Sequence, residues 1–255
     1  MNYFYFRSKV LDVLSLFSKP SPGVHILNGH YLSFLDEDPI IFKTLLKELQ
    51  KNCILIHLDV AVNMIVSKEK IHNKVYVAFT FDDGFLECYT KIAPVLDEFN
   101  LRAGYFIIPN FVESSVEYIE NMCHKTLNMP VIKNPMNWSQ IKELHNAGNI
   151  IGSHTLHHQR LNTDNKLLIE DEIVGSKKKL EAKLKFDCDF FAYPYGTLSD
   201  ISDYARKVAL SNHKYCFTQS NHKHYFSFGN KFINRRHFEG CWPASHVNYF
   251  LKKKK

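Results

Sequence analysis

The sequence lacks several features that would place it in well-defined classes of protein. No apolar run approaches the roughly 20 residues of a transmembrane helix, and no basic stripe with interleaved aromatic residues marks a nucleic-acid surface. The six cysteines are scattered without a Cys-x-x-Cys pair, which argues against a zinc knuckle and against a dense disulfide framework. Internal repeats and low-complexity linkers are also missing. These absences indicate an ordinary globular protein of 255 residues that binds no nucleic acid and resides in a reducing compartment.

The net charge is concentrated at the end of the chain. The formal net charge is +6, and four of the positive charges form the terminal run Lys252–Lys255. Residues 1–23 predict an amphipathic helix ending before Pro20, and they lack the clean apolar centre and small-residue cleavage site of a signal peptide. Such a helix packs on the protein's own body or docks on a membrane surface. We therefore expect a cytoplasmic protein. In the membrane-docking alternative, the N-terminal helix and the lysine tail would hold it peripherally at the inner membrane face.

Apolar strand-like runs alternate with helix-like stretches between the N-terminal extension, residues 1–23, and the basic tail, residues 252–255. The predicted strands are GVHILNGHY, VYVAFTF, RAGYFIIP, NIIGSH, CDFFAYPYG, KYCFTQS and NKFINRRHF. The predicted helices are DPIIFKTLLKELQKN, ECYTKIAPVLDEFN, NWSQIKELHNAG, NKLLIEDEIVGSKKKLEAKLK and ISDYARKVAL. This alternation predicts an α/β fold over residues 24–251, with a parallel sheet closed or nearly closed into a barrel.

Two adjacent carboxylates, Asp82 and Asp83, follow the apolar run VYVAFTF. Solvated acidic turns usually follow polar sequence, so the delivery of two like charges by a hydrophobic strand needs an explanation. One carboxylate can bind a metal while its neighbour faces a reacting water, and a nearby divalent cation would keep both ionised. The alternative is an ordinary Asp-Asp-Gly turn without function.

The segment GSHTLHH places His154 and His158 four residues apart. On a helical turn these side chains face the same way, which suits two ligands of one metal ion. His157 would point away from His154 on that helix, and we expect it near the surface. With 14 histidines in the chain, a chance pair at this spacing is the alternative. Together with an aspartate and open positions for water, two histidines describe a mononuclear hydrolytic site.

The turn FAYPYG closes a later predicted strand. Backbone N–H groups of a tight turn can point at a developing oxyanion, although a Pro-Tyr-Gly turn by itself is mostly just a turn. The aspartate pair, Ser153–His154 and Pro194–Gly196 all fall at the carboxyl ends of predicted strands. In a barrel these ends meet at one mouth, so the three segments would converge there.

In this order, TFDDG, SHTLHH and FAYPYG resemble the motifs of the polysaccharide deacetylase family, the NodB-homology domain of carbohydrate esterase family four. The segment NWSQIKELHNAGNIIGSHT is similar to the family's helix leading into the metal histidines. The segment ILNGHY is similar to its first strand, which often ends in a Tyr-His pair and here ends in Gly29-His30. The resemblance covers roughly Val24 to Phe238.

The resemblance implies a distorted (β/α)7-8 barrel that removes acetyl groups from N-acetylated sugars, with one divalent metal ion, most commonly Zn²⁺. Asp83, His154 and His158 would bind the metal. A water activated by the metal would attack the amide carbonyl with Asp82 as general base, and the backbone N–H of Tyr195 would help to hold the oxyanion. The implied partner is an acetylated carbohydrate of a surface polysaccharide or its precursor.

The sequence departs from the family pattern at several places. Many members carry an arginine in the third motif that tunes the base, and Ala192 stands at that place here. The later Asp-x-x-Asp-Trp and Leu-x-His motifs have no clear match, but FINRRHFEG lies in the corresponding region. Arg235 is the candidate replacement for the missing arginine, and His237 is the candidate general acid. His30 is a further candidate for a role in the pocket.

Two other functions fit the same fold. A catalytically silent carbohydrate-binding barrel would have lost a metal ligand or the base, whereas Asp82, Asp83, His154 and His158 are all present. A metal-dependent amidase acting on a small nitrogen compound is the other alternative, since relatives of the family open cyclic amides. The sequence therefore predicts a metal-dependent sugar N-deacetylase and does not name the acetylated sugar.

Overall fold

The computed structural model describes residues 10–15, 18–220 and 224–252. Within these residues ten strands form one sheet: β1 Gly23–Gly29, β2 Ile54–Leu55, β3 Val75–Phe81, β4 Gly104–Ile107, β5 Ile150–Ser153, β6 Phe190–Ala192, β7 Tyr215–Thr218, β8 Phe226–Ser227, β9 Phe232–Asn234 and β10 Arg236–His237. The longer helices are α1 Ile40–Leu49, α2 Leu58–Val66, α3 Ala93–Glu98, α4 Val116–Asn121, α5 Trp138–Asn146, α6 Lys166–Glu170, α7 Ser176–Leu184, α8 Asp203–Asn212 and α9 Ala244–Phe250. Wider π-helical turns occupy Cys88–Ile92, Met122–Thr126 and Asp171–Gly175, and a 3₁₀ turn occupies Leu198–Asp200.

The strands follow the order β10-β1-β3-β4-β5-β6-β7-β9-β8, and β2 pairs with β3 beside that path. All pairs are parallel except the hairpin of β8 with β9. Since β9 ends at Asn234 and β10 begins at Arg236, the single residue Arg235 joins the strand that pairs with β7 to the strand that pairs with β1. The path thus closes on itself, and the predicted distorted α/β barrel is confirmed.

The inside of the barrel is filled by alternate residues of its strands. Val24 and Ile26 of β1, Ala78 of β3 and Phe106 of β4 belong to one buried apolar cluster with residues of α2. Because side chains alternate between the two faces of a strand, Asn28, two positions beyond Ile26, shares this inner face. The interior thus changes from apolar to polar toward the carboxyl ends of the strands.

The outer face of the sheet is covered by amphipathic helices. In α1 the buried residues Phe42, Leu45, Leu46 and Leu49 repeat with helical spacing and join the core cluster beneath β3. In α5 a capping box begins the helix, because Asn137 and Gln140 exchange side-chain to backbone hydrogen bonds. Local sequence and burial therefore agree on where these helices lie.

Helix α2 was not predicted. Its sequence, LDVAVNMIV, is rich in β-branched residues and carries no strong capping side chain, so propensity does not favour a helix. Leu58, Ala61 and Val62 pack into the inner cluster of the barrel, and this burial outweighs local propensity.

The predicted N-terminal helix over residues 1–23 lies partly outside the described residues. Within it, residues 10–15 are helical, with Leu11 buried and Val13 exposed. Of the lysine tail, Lys252 is described. Across the described ranges, no helix combines the length and apolarity needed to span a bilayer. All six cysteines are free thiols.

Candidate active site

The two aspartates lie directly beyond the carboxyl end of β3. The N–H of Asp82 donates to the carbonyl of Gly29 at 3.0 Å, which extends the pairing with β1 by one residue and fixes Asp82 on the inner face. Asp83 and Gly84 then take left-handed conformations, with φ of 70° and 84°. The sharp change of direction separates the two carboxylates, so that neighbouring residues reach different sides of the cleft.

His154 and His158 do not lie on a helix, so that part of the prediction is wrong. His154 directly follows β5, and residues 154–158 form an irregular turn with left-handed Thr155 (φ 63°) and His158 (φ 58°). This turn folds the chain back so that both imidazoles face Asp83. The two histidines are brought together as predicted, but by turn geometry and not by helical periodicity. The side chain of His157 is 37% exposed, which agrees with its expected place near the surface.

Asp83, His154 and His158 form a buried cluster in which one potential ligand atom of each residue lies within 4.8 Å of the others. Asp83 Oδ1 is 3.5 Å from His154 Nε2 and 3.5 Å from His158 Nε2. Ligand atoms about 2.1 Å from a tetrahedral zinc ion are about 3.4 Å apart. Asp83 Oδ1 is also buried without a hydrogen-bond partner among the described residues. The donor set, the spacing and the unsatisfied oxygen all fit one divalent cation.

The electrostatics of the cluster favour neutral imidazoles and leave Asp83 in need of a counter-charge. Burial, and then the neighbouring charge of Asp82, raise the pKa of Asp83 well above its usual value. Burial lowers the pKa of His154, and burial followed by the nearby His154 lowers the pKa of His158 well below its usual value. Neutral imidazoles are the form that binds metal ions.

The strand end at Ala192 orients one ligand. His154 Nδ1 lies 2.8 Å from the carbonyl oxygen of Ala192, so the ring carries its proton on Nδ1 and donates it there. Nε2 is then the lone-pair nitrogen, and it is the atom that faces Asp83. Backbone carbonyls commonly orient metal-binding histidines in this way. Ala192, which stands where many family members have an arginine, contributes its backbone instead of a side chain.

Asp82 is held by Arg235, which the sequence proposed as the replacement for that arginine. Arg235 Nη1 and Nη2 donate to Asp82 Oδ1 and Oδ2 at 2.7 and 2.8 Å, a bidentate pair in which the arginine is fully buried. Burial disfavours the charged carboxylate, but the Arg235 guanidinium outweighs it and holds the pKa of Asp82 well below its usual range. Asp82 is therefore a stable anion in the interior of the barrel.

Asn28 completes this arrangement and was not identified from the sequence. Its Nδ2 donates to Asp82 Oδ2 at 2.9 Å, and its Oδ1 accepts from Arg235 Nη1 at 2.8 Å and from Thr80 Oγ1 at 2.9 Å. One amide therefore bridges both members of the ion pair. The signal was present in the alternation of β1, where Asn28 is a polar residue on the same face as Val24 and Ile26.

Tyr195 covers the histidine cluster. Its backbone is left-handed (φ 62°), and its N–H makes no hydrogen bond to a protein acceptor in the described part of the chain. The ring lies 4.7 Å from that of His158, and its hydroxyl donates to the carbonyl of Thr126 at 3.2 Å. The guanidinium of Arg160 stacks on the ring at 3.6 Å. The turn thus holds Tyr195 beside the predicted ligands with a free backbone donor.

His237 and His30 also line the cleft. Gln219 Nε2 lies 3.0 Å from His237 Nδ1, and Glu239 Oε1 lies 2.9 Å from His237 Nε2, so both nitrogens of His237 are engaged. The ring of His30 is 5.7 Å from that of His237. Burial lowers the pKa of His30 to about 4, with the negative charge of Asp82 opposing the shift. Gln219 and Glu239 were not singled out in the sequence, because nothing in their local pattern separates them from surface residues.

The cleft formed by these residues encloses about 640 Å³, including space open to solvent. Tyr31, Leu127 and Met129 provide apolar parts of its lining. All the site residues predicted from the sequence except Arg235 line the cleft itself, and Arg235 lies beneath it, behind Asp82. A cleft with apolar walls and a few convergent polar groups is the usual form of a small-molecule or sugar-ring site.

Comparisons with known proteins show which families and proteins the chain is similar to. Residues 69–213 match the sequence family described as polysaccharide deacetylase. The chain is 24% identical to YxkH of Bacillus subtilis over 138 residues, which cover 54% of this chain and 43% of that protein. It is 28% identical to the peptidoglycan-N-acetylglucosamine deacetylase of Bacillus cereus over 128 residues, which cover 50% of this chain and 38% of that protein.

The aligned parts span less than half the length of these two relatives. Among solved structures, IcaB from Ammonifex degensii superimposes with a TM-score of 0.70 at 20% sequence identity, covering 91% of this chain and 98% of that chain. This likeness shows that the two proteins share the barrel fold. Since the family match extends over more than half of its residues, the chain belongs to the polysaccharide deacetylase family.

Proposed function

We propose that the protein is a metal-dependent hydrolase that removes N-acetyl groups from an acetylated sugar of a surface polysaccharide or its precursor. The observation that carries the proposal is the pairing of an Asp-His-His cluster with a separate, arginine-bound carboxylate in one cleft. Family membership supports deacetylation. The name of the Bacillus cereus relative, a peptidoglycan-N-acetylglucosamine deacetylase, supports an acetylated amino sugar as the substrate class.

Asp83 Oδ1 and the Nε2 atoms of His154 and His158 would hold the divalent ion, for which Zn²⁺ is the proposed identity. A bound ion of this kind makes water more acidic and polarises the amide carbonyl. The apolar parts of the cleft would restrict solvent around a bound acetyl group and so strengthen the electrostatic interactions within the cleft.

Asp82 is the proposed general base. Its carboxylate lies 3.9 Å from His154 Nε2, so it borders the Asp-His-His cluster without belonging to it. Arg235 keeps it ionised and therefore ready to accept a proton, while Asn28 fixes its orientation. A carboxylate with a depressed pKa is a weak base, so the water that it deprotonates must be made acidic by other means. This requirement is consistent with an adjacent metal site.

Tyr195 and His237 are assigned to the two ends of the reacting amide. The Tyr195 N–H is an unused donor on a residue whose ring packs beside His158, and it would stabilise negative charge on the carbonyl oxygen. His237 is the proposed proton donor to the leaving nitrogen. As the donor, His237 would give up one proton of an imidazolium ring and be left as a neutral imidazole, and Glu239 Oε1, 2.9 Å from Nε2, is placed to stabilise that charged ring before the transfer.

The proposal is tested by acetate release. Metal-depleted protein is supplied with Zn²⁺ and assayed for acetate release from acetylated oligosaccharides and from nucleotide- and lipid-linked acetylated sugars. The same protein is assayed for ring opening of small cyclic amides. Acetate release from a sugar that requires added metal and is lost in Asp82→Asn is the expected result. Hydrolysis of cyclic amides alone would replace the proposal by the amidase alternative, and binding of sugars without hydrolysis would replace it by the carbohydrate-binding alternative.

The cellular location and the membrane contact stay predictions. The exposed Val10, Val13 and Leu14 on the short helix of residues 10–15 support the proposal of a peripheral membrane contact, and the cytoplasmic face is proposed from the sequence alone. Cell fractionation tests this proposal, and recovery of the protein from the periplasm or the medium would contradict it.

A further inference from the structure

The turn that carries the two predicted histidine ligands, residues 154–158, contains two left-handed residues that are not glycine. Thr155 has φ 63° and His158 has φ 58°. A β-branched residue in this region is a conformational outlier, and such backbone persists where the surrounding structure imposes it. Contacts from the surrounding structure must therefore hold residues 155–158 in the conformation that points both imidazoles at Asp83.

Glu172 contacts this turn through both its side chain and its backbone. One carboxylate oxygen accepts the backbone N–H of His157 at 2.9 Å, and the other accepts His157 Nδ1–H at 2.7 Å. The Glu172 carbonyl also accepts the N–H of Leu156 at 3.2 Å. Glu172 is only 3% exposed and lies in the π-helical turn Asp171–Gly175, a local distortion that often occurs beside functional sites. Three hydrogen bonds thus join one buried residue to the middle of the turn.

A chain of hydrogen bonds determines where the proton of His157 lies. Lys179 Nζ donates to Asn110 Oδ1 at 2.6 Å, and since lysine can only donate, this contact fixes which end of the amide faces it. Asn110 Nδ2 then donates to His157 Nε2 at 2.6 Å, so Nε2 is an acceptor and the ring proton lies on Nδ1. His157 therefore presents two donors to Glu172, its backbone N–H and its Nδ1–H.

From this geometry we infer that Glu172 is a positioning residue for the metal site, acting through His157 to hold His158 in its ligand conformation. The inference rests on the metal site of the proposed function and adds residues to it. A buried carboxylate is costly unless both oxygens are satisfied, and here both are satisfied by the turn that carries the ligands. A side chain that served packing alone would not need a charge at this place.

The two donors of His157 make Glu172→Gln the sharpest test. A carboxylate accepts from both donors, whereas an amide has one oxygen and one N–H group and can satisfy only one of them. Because Asn110 locks the ring proton on Nδ1, the ring cannot adapt in this variant. We expect Zn²⁺ affinity, measured by competition with a chromogenic chelator, to fall roughly 10–100-fold, the usual effect of removing a partner of a metal ligand.

The variant Asn110→Ala supplies the matching rescue. Without the Asn110 donor, the His157 ring can move its proton to Nε2 and accept at Nδ1 from the side-chain amide introduced by Glu172→Gln. The double variant Asn110→Ala/Glu172→Gln should therefore bind Zn²⁺ more tightly than Glu172→Gln alone, although it carries one more substitution. The visible spectrum of bound Co²⁺ reports ligand geometry, and we expect it to change in Glu172→Gln and to revert in the double variant. Glu170→Gln, an exposed carboxylate on the preceding helix, is the matched control and should leave both readouts unchanged.

Two outcomes overturn the inference. One is Zn²⁺ affinity in Glu172→Gln within twofold of the parent protein, and the other is an equal loss in the single and double variants. If Glu172→Gln does not fold, His157→Leu at the neighbouring partly exposed position takes its place, because it removes the Nδ1–H donor. We expect the Zn²⁺ affinity of His157→Leu to fall roughly tenfold, and unchanged affinity would refute the positioning role of Glu172. Since these readouts need no substrate, failure of the deacetylase assay is a separate result.

Discussion

Asp82 and Asp83 are neighbours in the sequence, equally buried, and surrounded in opposite ways. Both oxygens of Asp82 accept hydrogen bonds from Arg235 and Asn28, whereas Asp83 Oδ1 has no hydrogen-bond partner in the described residues. Burial penalises the charge of both groups. The guanidinium reverses that penalty for Asp82 and lowers its pKa, while the pKa of Asp83 stays raised. Two adjacent carboxylates can therefore be charged together only if each has its own counter-charge.

The comparison distinguishes two sides of the cleft. The arginine side consists of Asp82 and Arg235, and the histidine side consists of Asp83, His154 and His158. On the arginine side the counter-charge is part of the protein, so the arrangement is complete in the folded chain. On the histidine side two imidazoles with lowered pKa values provide no positive charge at neutral pH. The missing charge must come from outside, as a proton or a cation. Substitutions on the two sides should therefore have different consequences for metal content.

The largest effect is expected from the histidine side. In His158→Ala the ion has only two protein ligands, so we expect loss of stoichiometric metal and a fall of acetate release to the background rate. Asp83→Asn should weaken metal binding less severely, with partial recovery of activity in excess Zn²⁺. Metal analysis after dialysis and acetate assays at several Zn²⁺ concentrations measure both effects. Stoichiometric metal in His158→Ala would contradict the ligand assignment.

Asp82→Asn should reduce acetate release roughly 10²–10⁴-fold, the usual scale for loss of a general base, with the fold and the metal retained. The reason is that the amide cannot accept a proton, while its one remaining oxygen can still accept from Arg235. Metal content and acetate release of this variant are compared with those of Asp83→Asn. If Asp82→Asn loses the metal and Asp83→Asn keeps it, the two roles are reversed.

Arg235→Lys tests the arginine side more gently. Lysine keeps the positive charge but cannot reproduce the bidentate contact with Asp82. A hydrogen bond to a charged group contributes about 1.5–3 kcal/mol, so we expect a loss of about tenfold to a hundredfold in kcat with metal affinity unchanged. Kinetics at saturating Zn²⁺ measure the first and chelator competition the second. A loss of metal affinity would show that the two sides are not independent.

The smallest effect on the site is expected from His213, a buried imidazole outside it. Burial, and then the nearby Lys177, lower the pKa of His213 to about 4, and its Nε2 has no partner among the described residues. Between pH 6.5 and about 4 the unfolded chain binds a proton that the folded chain does not, so the free energy of unfolding falls as the pH falls. Between neutral pH and a pH below the folded-state pKa of His213, this group lowers the free energy of unfolding by about 3 kcal/mol.

His213→Gln should remove that part of the acid sensitivity and leave metal affinity unchanged. Denaturant titrations of the metal-free protein at about pH 7 and about pH 4.5, for parent and variant, isolate the His213 contribution from that of the ligand histidines. An identical loss of stability in both proteins would place the acid sensitivity elsewhere.

The sequence predicted those parts of the site that depend on a strand end. An apolar run followed by Asp82 and Asp83 places two carboxylates at the carboxyl end of a strand, and in a barrel these ends meet at one mouth. The contact between Arg235 and Asp82 was also anticipated, but on family grounds, because the two residues are 153 positions apart. The conformation of residues 154–158 was predicted wrongly, since a spacing of four residues is compatible with a helix and with a folded turn.

The residues that were missed act through tertiary contacts. Asn28 lies in a strand whose other inner residues are apolar, and its importance follows only from the position of Arg235. Glu172 lies in a helical segment where acidic residues are common, and only the packing of that segment against the turn separates it from Glu170 and Asp171. Helix α2 was missed because its burial inside the barrel decides its conformation. The sequence pattern predicts strand ends and candidate ligands, but not the partners that hold them.

The position of Arg235 also orders events during synthesis of the chain. Asp83, His154 and His158 leave the ribosome long before Arg235, which joins β9 to β10 near the end of the sequence. A nascent chain can thus contain every proposed metal ligand while Asp82 still lacks its counter-charge. Under the proposed mechanism hydrolysis begins only when the last strands enter the sheet. Activity would therefore report closure of the barrel, whereas metal content alone would not.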